Sequence, residues 1–124
     1  MVKNLLKIIS LILSLCLLTK STFGLTSGWS VGDISKVRLI SPLSSNNNQE
    51  QIILGLQYSM EPGWKTYWKS PGDGGFSQNL IWEDSKNVRN ITLLWPKPKE
   101  FEILGFNSIG YENEVIFPLK IDIQ

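Results

Sequence analysis

Cys16 is the only cysteine in the chain, and there is no histidine. Thiol–disulfide exchange needs a thiolate, and histidine is the commonest general base and metal ligand. The residues left to do chemistry are therefore few. Cys16 sits inside an apolar run, with Leu15 before it instead of the small residue that a lipid-anchoring signal wants. Carboxylates occur in pairs, such as Glu61 with Asp73 and Glu83 with Asp84. Two carboxylates facing across a cleft would suit glycoside hydrolysis, but solvated surface charge accounts for these pairs equally well. Gly72-Asp73-Gly74-Gly75 lacks the Gly-Lys-Ser/Thr ending of a phosphate-binding loop and reads as a turn. Asn90-Ile91-Thr92 has the form of a glycosylation sequon, but it falls within a strand pattern and reads as incidental. Trp64, Tyr67, Trp68, Trp82 and Trp95 could build a platform for sugars or peptides. Trp64 and Trp68 fall on one face of a strand, as a core would have them. Tyr67, between Lys65 and Lys69, is the exposed candidate. No catalytic, cofactor-binding or metal-binding residue is expected.

The first 24 residues have the organisation of a secretion signal. Lys3 and Lys7 give a positive start, Ile8 to Leu18 is an apolar run, and Thr22-Phe23-Gly24 offers small residues at the cleavage positions. The run is short for a bilayer span, which needs about 20 apolar residues. Cleavage after Gly24 is expected, leaving residues 25–124 as one domain in the periplasm or outside the cell, with no membrane span. That domain holds nine basic and eleven acidic side chains and no basic cluster, which argues against nucleic acid as a partner. It also holds no cysteine, so packing alone must hold it.

After Gly24 the periodicity is two, never 3.6. Strands are predicted at Ile34–Ile40, Gln51–Met60, Trp64–Lys69, Leu80–Trp82, Val88–Trp95 and Val115–Ile123, with Phe101–Leu104 as an edge. Ser41–Gln49, Ser70–Gly75 and Gly105–Asn113 are predicted as loops, because their Pro, Gly and Asn residues interrupt regular pairing. Short strands at roughly ten-residue spacing indicate an all-β sandwich or barrel. Pro118 within the last strand predicts an edge or a bulge.

Pro62-Gly63-Trp64-Lys65-Thr66-Tyr67-Trp68-Lys69-Ser70-Pro71-Gly72-Asp73 resembles the signature of the N-terminal domain of the bacterial thiol:disulfide interchange protein DsbD family. Leu94-Trp95-Pro96-Lys97-Pro98 resembles the family's Trp-Pro-x-Pro segment. Ile109-Gly110-Tyr111 and Glu114-Val115-Ile116-Phe117-Pro118-Leu119 resemble its Gly-Tyr and Val-x-x-Pro pieces, in the same order. The resemblance runs from about Ile34 to Ile123. It implies an immunoglobulin-like β-sandwich in the periplasm and thiol–disulfide proteins of the periplasm or inner membrane as partners. In the family, two cysteines beyond the Val-x-x-Pro region carry electrons; no position here matches them. A sandwich missing its C-terminal strands is therefore expected, related to the disulfide-reduction pathway but non-catalytic. Its Val115–Ile123 strand would then present a free edge. The alternatives are a small envelope module that binds peptides or glycans around Tyr67 and the Ser70–Gly75 loop, or a non-functional remnant.

Overall fold

The computed structural model describes residues 24–42 and 49–124. The export segment, Cys16 and Asn46-Asn47-Asn48 lie outside the described residues, apart from Gly24. Nine strands occur among those residues and no helix: β1 (Leu25–Thr26), β2 (Ser30–Val31), β3 (Ser35–Ser41), β4 (Gln51–Met60), β5 (Lys65–Gly72), β6 (Val88–Leu93), β7 (Lys99–Ile103), β8 (Phe106–Glu112) and β9 (Glu114–Ile123). They form two antiparallel sheets. The larger has the order β1-β3-β4-β9-β6, with β2 also pairing with β3, and the smaller has the order β5-β8-β7. This is the β-sandwich that the strand spacing predicts.

Alternation builds the core. On β9, Val115, Phe117, Leu119 and Ile121 are buried, while Glu114, Ile116 and Lys120 are exposed. The register pairs Tyr58 with Val115, Leu56 with Phe117 and Leu54 with Leu119, so β4 presents the same face. Phe117 is wholly buried, and the rings of Tyr58, Trp95 and Tyr111 meet it edge to face with centroids 5.6, 5.5 and 5.0 Å away. Such geometry sets the positive edge of one ring against the negative face of another. Trp68 and Leu93 pack against the same cluster, tying the two sheets together.

Four expectations need correction. β9 is no edge: β4 pairs along one side of it and β6 along the other. Pro118 is accommodated because the N and C=O of one residue face the same neighbour in an antiparallel ladder. Its carbonyl accepts the Leu94 N–H at 2.8 Å, on the side of β6, which has ended at Leu93. The missing N–H therefore points past the end of that strand and costs no ladder bond. Gly105–Asn113 is mostly strand β8, the centre of the smaller sheet. Leu80–Trp82 is not a strand; a turn follows it, closed by Ser85 N–H donating to the Trp82 carbonyl at 2.8 Å. Ser70-Pro71-Gly72 belongs to β5, which meets β8 through a register shift between Tyr67 and Gly72.

Burial pushes the phenols of Tyr58 and Tyr111 above the ordinary value of 10.0. A raised folded-state value means that the unfolded chain releases these protons first as pH rises. The contribution is fully present below pH 10 and is lost above it. The thermal midpoint is expected to hold up to that pH and to fall beyond it, as thermal denaturation followed by circular dichroism would show.

Candidate functional site

The segment Pro62 to Gly75 is positioned by β5 and by the loop that leaves it. Thr66 and Tyr67 pair with Tyr111 and Gly110 of β8. A Cβ on Gly110 would collide with the carbonyl oxygen of Thr66, so the close approach of the two strands needs glycine there. After the register shift, Gly72 pairs with Ser108, and Asp73 N–H donates to the Asn107 carbonyl at 2.8 Å. The loop then folds back across the sheet. The buried Ser108 hydroxyl donates to the Gly74 carbonyl at 2.7 Å, and the Tyr67 ring lies against Gly75, where a side chain would strike the ring carbons. Gln78 Nε2 donates to the Thr66 hydroxyl.

Trp95 and Pro96 meet Tyr111 of β8 and the core from the other side. The Tyr111 hydroxyl donates to the Pro96 carbonyl at 2.7 Å, which fixes the Trp95-Pro96 segment against β8 while Trp95 packs on Phe117. Trp68, Trp95, Pro96, Gly110 and Tyr111 are thus occupied with packing. Tyr67 is half-buried and committed to Gly75, not the free platform its place between two lysines suggests. Trp64 is the accessible aromatic: it stands before β5 and is 50% exposed. Trp82 is half-buried. Pro62, Gly63, Gly72 and Asp73 are exposed, and Pro118 lies in the other sheet.

Beside the signature lies a cleft of about 620 Å³. Gly63, Trp64, Lys65 and Tyr67 line it from the start of β5. Glu102, Ile103 and Leu104 line it from the β7–β8 hairpin, together with Ile34. The Lys65 ammonium rests 4.8 Å from the Phe101 ring, an attraction to the ring's negative face. Leu104 stands at the hairpin tip, 93% exposed, with φ of 53° followed by Gly105 at 84°. The left-handed region suits Asn or Gly in such two-residue turns. An apolar side chain held there, in water, is the kind of local cost that accumulates at functional sites. Sequence reasoning missed this residue, because Leu in the first turn position is not one of the residues that mark a two-residue hairpin.

The carboxylates read from the sequence do not assemble a catalytic pair. Glu61, Asp73, Glu83 and Asp84 are all exposed, and Glu83 accepts the neighbouring Trp82 N–H. Asn90 is exposed on β6, with its amide 3.4 Å from the Thr92 hydroxyl. Among the described residues no group of His, Cys, Asp and Glu could hold a metal ion, and no helix is long and apolar enough to cross a membrane.

The family model for the N-terminal part of the thiol:disulfide interchange protein DsbD matches residues 36–124. The chain belongs to the DsbD N-terminal family. The match takes in every strand from β4 onward and most of β3. In structure, the chain is similar to the N-terminal periplasmic domain of ScsB from Proteus mirabilis, at 30% identity and a TM-score of 0.68, over 81% of this chain. It spans 40% of the length of that ScsB domain. Among curated proteins no significant match is found. Membership in this family and the structural likeness support the immunoglobulin-like sandwich and a relation to thiol–disulfide interchange.

Proposed function

We propose that residues 25–124 form an exported, periplasmic docking domain of thiol–disulfide interchange, which engages partner oxidoreductases and carries no electrons on its own residues. Cleavage after Gly24 would remove the only cysteine and leave residues 25–124 with no thiol, and without a thiolate no disulfide can be attacked. The observation that carries the docking role is the cleft beside the family signature. There an exposed indole and a strained, exposed leucine line one cleft of about 620 Å³ with Tyr67, while Trp68, Trp95 and Tyr111 are committed to the core. Accessible aromatic and aliphatic side chains around a concave centre are what binding hot spots are made of.

Leu104→Asn tests this reading because the two expected effects have opposite signs. Asn tolerates the left-handed conformation, so the hairpin gains stability on the order of 1 kcal/mol. The apolar contact is lost, so titration of the exported, 15N-labelled protein with a thioredoxin-fold oxidoreductase is expected to show weaker binding than wild type. Binding unchanged in a variant that is at least as stable, or amide shifts that avoid Trp64 to Tyr67, would remove the cleft from the account.

A further inference from the structure

The two faces of a two-layer sandwich should differ, with apolar residues between the sheets and polar ones outside. The outer face of the six-stranded sheet departs from this. Register places Arg38 beside Gln57 and Gln57 beside Ile116; one step along, Ile40 lies beside Gly55 and Gly55 beside Pro118. These residues alternate with Leu39, Leu56 and Phe117, so they lie on the face turned away from the core. Ile116 and Ile53 are 40% and 45% exposed, and with Ile40, Gly55 and Pro118 they line an apolar depression of about 340 Å³. Gly55 lets it close around the backbone: a Cβ there would lie 2.6 Å from Ile40 Cγ1 and 2.9 Å from Ile116 Cγ2.

One end of this depression is cationic. The Arg38 guanidinium and the Lys36 ammonium lie 4.4 and 4.9 Å from the centre of the Trp29 ring. Arg38 Nε donates to Gln57 Oε1 at 2.7 Å, and Gln57 is itself buried, which fixes the plane of the guanidinium. Among the described residues neither cation forms an ion pair, the one such pair being Lys99 with Glu112; Glu114 stands on the same face two strands away, opposite Ser59, which in turn lies opposite Lys36. Two unpaired cations held on one indole, beside an apolar hollow, complement an anion that carries an apolar neighbour.

The spacing limits what fits. Arg38 and Ile40 are two residues apart on one strand, about 7 Å, and in an extended segment residues i and i+2 share a face at that same spacing. We propose that this face docks an extended segment of another protein in which an aliphatic residue stands two positions from a carboxylate. The aliphatic side chain enters the hollow over Gly55, and the carboxylate meets Arg38 and Lys36. An anionic lipid surface is disfavoured, because residues 25–124 carry nine basic against eleven acidic side chains and the domain as a whole is not attracted to negative charge. This surface lies on the other sheet from the cleft at Trp64 and Leu104 and stands independently of it.

The probe is the peptide acetyl-Ser-Ile-Thr-Glu-Ser-amide, titrated into the exported, 15N-labelled protein, with the Gln analogue of its Glu as control. Shifts are expected at Arg38, Ile40, Gly55 and Ile116. The Gln analogue, and separately Arg38→Gln, are expected to bind about tenfold more weakly, the worth of one charge-assisted hydrogen bond. Equal affinity for the neutral analogue would overturn the proposal without any variant having to fold. So would the absence of shifts up to about 5 mM peptide, a weak-binding limit above which contacts of this size carry no specificity. Binding to phosphatidylglycerol vesicles in preference to the peptide would replace the protein segment with a lipid surface. Self-association broadening these same amides without peptide would replace it with a second copy of this chain.

Discussion

Phe117→Ala is expected to destabilise the protein by about 3–5 kcal/mol, the range for truncating a wholly buried aromatic. Phe117 has no exposed surface and touches three rings at once. Tyr58 comes from β4, Tyr111 from β8 and Trp95 from the segment after β6. The cavity would therefore open between the sheets, where neither can collapse without moving the other. With total stabilities of about 5–15 kcal/mol, much of the margin would go. Chemical denaturation should show a large drop in the midpoint with little change in slope. A loss below about 1 kcal/mol, the usual scale of surface changes, would mean that Phe117 is not the contact on which the sheets meet.

Gly110→Ala is expected to cost about 3 kcal/mol or slightly more, at the upper end of overpacking effects. The methyl would be driven into the Thr66 carbonyl, a backbone atom that cannot rotate away. β5 and β8 must then separate where Thr66 pairs with Tyr111 and Tyr67 with Gly110. The damage should be local. Hydrogen exchange at the β5–β8 amides is expected to accelerate far more than at β4–β9, since local openings report regional stability. Uniform acceleration would contradict a local opening and would mean that the two sheets yield together.

In the larger sheet β3, β4 and β9 were legible because their residues follow one rule, whereas β1 and β2, two exposed residues each within a polar lead-in, show no period and were not predicted. β4 has the limits predicted for it, and the β9 pattern differs from its expected limits by one residue, since both strands alternate cleanly against a single core. The smaller sheet was obscured by the glycines that make it work. Gly105 and Gly110 look like loop residues, yet the first permits a hairpin turn and the second permits close strand approach. Pro71 hid the continuation of β5 in the same way. Pro118 misled because its tolerance depends on where β6 stops, which no local pattern encodes. The resemblance located the signature, of which Trp68, Trp95 and Tyr111 pack together while Pro118 lies in the other sheet. The cleft was not visible in the sequence, because Ile34, Trp64 and Leu104 are far apart along the chain and share no period.

On the function proposed above, residues 25–124 serve thiol–disulfide interchange by docking and not by electron transfer. The most direct measurement is the rate at which the purified exported protein reduces a model disulfide substrate in the presence of a dithiol donor. A rate equal to the blank without protein is expected, because the proposed cleavage after Gly24 would leave residues 25–124 without a cysteine. A rate above the blank would contradict the account, because it would require a working thiol in the exported protein.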